Sequence, residues 1–82
     1  MVSAQIGKMG VISGLDTANF VMNETPFNIK NDGAEAVELE VNLWSMEPGQ
    51  FVKTRFEVGW NPEIVREIKQ TSTTNLNLKW GF

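Results

Sequence analysis

The sequence predicts a mainly β domain, a small antiparallel β-sandwich of about five to seven strands carrying one short helix. Three observations carry the prediction. Val37, Leu39, Val41 and Leu43 alternate with Glu38, Glu40 and Asn42, and a period of two with one apolar face marks a half-buried strand. Beyond the turn-forming Met46-Glu47-Pro48-Gly49, residues Val52, Thr54, Phe56 and Val58 alternate with Lys53, Arg55 and Glu57. At the far end Leu76, Leu78, Trp80 and Phe82 share a face, as a last strand requires.

Taken in order, residues 1–25 form a glycine-interrupted segment and residues 26–82 the sandwich domain. Gly7, Gly10 and Gly14 recur among Ile6, Met9, Val11, Ile12 and Leu15, and glycine at that density bends strands or admits a close backbone. Two readings fit this segment. Either it forms one or two short bent strands, or it is an arm that packs on a neighbouring subunit through Ile6, Met9, Val11 and Ile12. Phe20-Val21-Met22 is a further apolar run ahead of the turn-prone Asn23-Glu24-Thr25-Pro26. Phe27-Asn28-Ile29-Lys30 then reads as a strand with Phe27 and Ile29 inward, and Asn31-Asp32-Gly33 as a turn.

The central alternations make a hairpin, and its register is constrained by the need to keep apolar residues on one face. The numbers of paired residues must sum to an odd value, because an even sum sets Val41 against Arg55 and buries charge. A sum of 95 opposes Glu40 to Arg55 and Asn42 to Lys53, whereas 97 opposes Glu40 to Glu57. The first is preferred, by no more than the roughly 0.2–1 kcal/mol of an exposed cross-strand pair. Pro48-Gly49 suits the centre of a type II turn and fits a two-residue hairpin poorly, so a connection of about four residues or more is expected.

The helix is expected over 62–69. Asn61 is a favoured N-cap, Pro62 a favoured first helical residue and Glu63 an acid in the first turn. Ile64, Val65 and Ile68 fall on one helical face, Lys69 complements the dipole, and Trp60 is placed to staple back on Ile64.

Composition narrows the function classes. Eighty-two residues make one domain with a small core. The net charge of −3 argues against binding a phosphate backbone. No apolar run is long enough to span a bilayer, and glycines and Lys8 interrupt the N-terminus where a signal peptide needs a continuous apolar stretch. A cytoplasmic setting follows unless the chain belongs to a larger particle.

No catalytic set is expected, and with it no enzyme, cofactor or metal. Nucleophilic triads and zinc sites usually rest on His or Cys, and the chain has neither. Glu38 and Glu40 lie about 7 Å apart along a strand, yet an alternating Glu-x-Glu reads first as a solvated face. Asp32 and Glu35 lack the oxygen density of a calcium loop, and the glycines form no phosphate loop. Trp44 falls on the polar face of its strand unless a bulge turns it. Near Lys53 or Phe51, an outward Trp44 is a platform for a sugar ring or a protein partner; otherwise it is a rim residue covering the hairpin. Trp60 and Trp80 are expected in the core.

The stretch NIKNDGAEAVELEVNLW, a strand, an Asn-x-Gly turn and an alternating strand ending in an aromatic, resembles the edge of an immunoglobulin-like β-sandwich. It covers about a third of the chain and lacks the Cys…Trp…Cys spacing of antibody domains. The whole chain also resembles, in style and without a shared motif, small accessory virion proteins of tailed bacteriophages. That resemblance implies a compact β-rich structural component, and it transfers no functional residue. The expected function is accordingly a non-enzymatic structural or assembly protein contacting other protein subunits, its own copies among them. The alternative is a carbohydrate- or surface-ligand-binding sandwich module. The expected contact residues are Ile6, Met9, Val11, Ile12, Trp44 and Phe51.

Overall fold

The computed structural model describes residues 6–22, 25–73 and 76–82. The turn expected at Asn23-Glu24, residues 1–5, and Thr74 with Asn75 lie outside them. Eight strands follow in chain order: β1 (Met9–Val11), β2 (Phe20–Val21), β3 (Asn28–Asn31), β4 (Val37–Leu43), β5 (Val52–Phe56), β6 (Gly59–Trp60), β7 (Val65–Ile68) and β8 (Leu78–Gly81). They form two four-stranded antiparallel sheets, ordered β1-β8-β3-β6 and β2-β7-β4-β5. The strands exceed the expected number because β2 and β6 are only two residues long, too short to show a period.

Alternation decides which side chains meet between the sheets. Ile29 and Leu78 come from the first sheet, and Leu39, Val41, Phe56, Val65 and Ile68 from the second; all are buried, with Phe27, Ile12 and Leu15 beside them. Each such side chain is worth about 1.5–3 kcal/mol when fully buried. Core burial therefore outweighs the surface charge pairs and fixes which face turns inward. Phe27 also joins the sheets at one corner: its N–H donates to the Val65 carbonyl at 3.0 Å, and the Val65 N–H donates back at 2.8 Å.

The β4–β5 hairpin keeps the expected faces but not the expected register. Val41 lies opposite Val52, Glu40 opposite Lys53 and Glu38 opposite Arg55, two residues away from the preferred pairing. Asn42 supplies the reason. Its side chain is fully buried, and Nδ2 donates to the Glu47 and Gln50 carbonyls at 2.7 Å each. That organises residues 44–51 into a longer connection and delays β5. The Gln50 N–H donates to the Glu47 carbonyl, and Gly49 has φ +83°, the geometry of a type II turn centred on Pro48-Gly49.

The helix expected over 62–69 is absent, and the segment contributes β7 instead. Asn61 caps no helix. Its Nδ2 donates to the Glu57 and Gly59 carbonyls at 3.0 Å and its Oδ1 accepts from the Glu57 N–H at 3.0 Å. Against β4, Asn42 pairs with Glu67 and Leu43 with Val65, so Arg66 is an extra residue, a β-bulge. Because of it Val65 and Ile68, three apart, both point inward and are fully buried. Ile64, expected on the inner helical face, is 53% exposed.

Candidate interaction surface

Residues 6–22 are built into the sandwich: β1 pairs with β8, and β2 with β7. Met9 lies opposite Gly81 and Val11 opposite Lys79, while Gly10 lies opposite Trp80. The Trp80 indole occupies the space a side chain at position 10 needs, so Gly10 faces the interior and Met9 and Val11 face outward. Met9 is 50% and Val11 65% exposed.

Of the other residues expected to contact a partner, Ile6 is half-buried against Gly81 on that same outer face. Ile12 is only 6% exposed and belongs to the core, which withdraws it from any surface. Trp44 and Phe51 lie at the two ends of the hairpin connection in the other sheet, so the six residues do not form one patch. Trp44 is 39% exposed. The Arg66 guanidinium stacks 5.3 Å from its ring centroid and donates to the Trp44 carbonyl at 2.5 Å. Half-buried Phe51 is approached by Lys69 at 5.8 Å. Sequence reasoning missed Ile64, which adjoins Trp44 through a backbone hydrogen bond of 2.9 Å; assigning it to a helix hid its exposure.

The outer face of the β1-β8-β3-β6 sheet carries the other groups of note. Trp60, expected in the core as a staple on Ile64, is half-buried there instead. An added Cβ at Gly81 falls 2.6 Å from the Trp60 ring and 2.8 Å from Ile6, so the missing side chain lets both lie down over the strand. Lys30 sits 6.0 Å from the Trp60 ring centroid. Asp32 binds the Lys79 ammonium and lies 3.3 Å from that of Lys30. Lys79, with Lys30 adding to it, holds the Asp32 carboxyl below the usual aspartate range against an opposing push from desolvation.

Two hollows among the described residues are large enough to consider. The larger, about 660 Å³, is lined by Glu38, Glu40, Lys53, Arg55 and Lys69 among others. Three cations and two carboxylates line it, with Lys69 3.9 Å from Glu40. The smaller, about 350 Å³, lies beside Ile12, Gly14 and Leu15. No group of three or more His, Cys, Asp or Glu side chains converges on a metal position among the described residues, and no helix there is long and apolar enough to cross a membrane. No protein-family model matches the chain, and comparisons with curated proteins and with solved structures return no significant match.

Proposed function

We propose that the protein is a non-enzymatic structural or assembly component that engages other protein subunits through β1. One observation carries this reading: Met9 and Val11, two exposed apolar side chains, stand side by side on an edge strand. An edge strand with apolar side chains is where another chain is most readily added. The finer form of the reading, an immunoglobulin-like sandwich serving as an accessory virion component, rests on the resemblances in the sequence. The chain has no cysteine, so Val11→Cys introduces a unique attachment point for a photoactivatable cross-linker. Irradiation in the producing cells should give protein cross-links from position 11 that exceed those from Glu57→Cys. Equal yields from both positions would refute the reading.

The second reading, a carbohydrate- or surface-ligand-binding module, is favoured by the exposure of Trp44. The Arg66 guanidinium already covers one face of that indole, leaving one for a stacked ring. Under this reading Trp44→Ala abolishes glycan retention without lowering the unfolding midpoint.

A further inference from the structure

β1 lies at the end of its sheet, with β8 on one side and no described strand on the other. Its backbone bonds fix which groups face outward. Lys8 and Phe82 donate to each other's carbonyls at 3.0 Å, and the Ile12 N–H donates to the Leu78 carbonyl at 3.0 Å. Antiparallel pairs alternate between hydrogen-bonded and non-hydrogen-bonded. Lys8, Gly10 and Ile12 therefore turn their backbone groups toward β8, whereas Met9 and Val11 direct theirs out of the sheet. The residues with exposed apolar side chains are thus the ones whose N–H and C=O groups no described strand engages.

The other edges are guarded. β5 carries Lys53 and Arg55, while β2 and β6 are two residues long and Pro62 follows β6 closely. β1 has neither charge nor proline from Met9 to Ser13.

Resting on the assembly reading above, we infer that the partner of β1 is β1 of a second copy, paired antiparallel about a two-fold axis through Gly10. In this register Met9 exchanges both backbone bonds with Val11 of the second copy, and the axis repeats the exchange. Gly10 meets Gly10 as the non-hydrogen-bonded pair. Met9 and Val11 of both copies become neighbours on one outer face, covering four half-exposed apolar side chains at once. The charges permit it. Lys8 comes opposite Ile12, not opposite its own copy. The two Lys79 side chains stand at least about 14 Å apart across the intervening strands, beyond the roughly 8 Å screening length at physiological salt, and each remains bound to Asp32.

Sedimentation of the full-length chain over a concentration range tests the inference. The expected species is a dimer. Val11→Pro deletes an N–H that no described strand engages and that edge strands can spare. It should weaken dimerisation by more than about tenfold, because the two-fold loses that bond twice, while the monomer keeps its circular dichroism spectrum. Met9→Lys/Val11→Lys should also give monomers. If Val11→Pro does not fold, Met9→Pro removes the other outward N–H and takes its place. A chain that stays monomeric to millimolar concentration overturns the inference but not the assembly reading, which the cross-linking decides. A dimer lost in the lysine variant but intact in the proline variant keeps the assembly reading and overturns strand pairing. A dimer intact in both overturns the inference, with contact through another surface.

Discussion

Asp32 is held between two ammonium groups, and that has a consequence for stability. Lys79 above all, and Lys30 with it, lowers its folded-state pKa below the ordinary aspartate value. In the acid range where the unfolded carboxyl takes up a proton and the folded one does not, stability rises with pH. The contribution is complete above the ordinary aspartate pKa and is lost as pH falls through the depressed folded value. Asp32→Asn should therefore lower the unfolding midpoint at pH 7 and reduce its fall on acidification, as thermal scans from about pH 7 to pH 2 would show. The buried asparagines work at the same scale. Asn31, Asn42 and Asn61 are almost wholly buried, and each hydrogen-bonds backbone groups of a neighbouring loop. In Asn31, Nδ2 donates to the Glu35 and Phe56 carbonyls while Oδ1 accepts from the Gly33 N–H. An asparagine that reads from sequence as a polar-face or capping residue is here an interior staple, and no local period distinguishes the two.

At the scale of the element, β7 shows what a periodicity argument can and cannot extract. Apolar residues three apart read as helical, and Asn-Pro-Glu reads as a helix start. A bulged strand produces the same spacing, because one inserted residue shifts the alternation by one. What decides between them is pairing with β2 and β4 on either side, which is non-local. The β-branched Val65 and Ile68 suit a strand and were the available signal. Deleting Arg66 removes the extra residue and leaves Val65 and Ile68 two apart, the spacing that a regular strand turns to one face. Both side chains should stay in the core, so in urea denaturation the deletion should cost little more than the loss of the Arg66 contacts. Arg66→Ala removes the cation–aromatic contact and the hydrogen bond to the Trp44 carbonyl and should cost about 1–2 kcal/mol. A deletion several kcal/mol more costly than Arg66→Ala would overturn this account of the bulge. By contrast β4 and β5 were legible because each is one uninterrupted alternation, and their register was missed because it depends on Asn42 folding the connection. The glycine spacing left residues 1–25 open between short bent strands and a subunit-packing arm, and no local signal separated exposed Met9 and Val11 from buried Ile12.

At the scale of the molecule, the sheets are closed by segments far apart in sequence. β1 lies on β8, and Ile12 and Leu15 complete the core between the sheets. Removing residues 1–14 therefore deletes a strand and a core side chain along with any contact surface. The truncated chain should lose its cooperative thermal transition, measured by circular dichroism; a truncated form that unfolds as cooperatively as the full chain would make the N-terminal segment dispensable to the sandwich. Substitution at the outer edge is for that reason the cleaner probe of assembly.

The pairing of β1 with β8 also sets an order of events during synthesis. β1 leaves the ribosome well ahead of its intramolecular neighbour, because β2 to β7 all lie between them in the chain. Over that interval Met9-Gly10-Val11 has no β8 to pair with. Neighbouring ribosomes on one message then carry identical bare strands side by side, where self-pairing competes with folding. The glycines around β1, which weaken it as an isolated strand, keep it from committing to that pairing before β8 arrives.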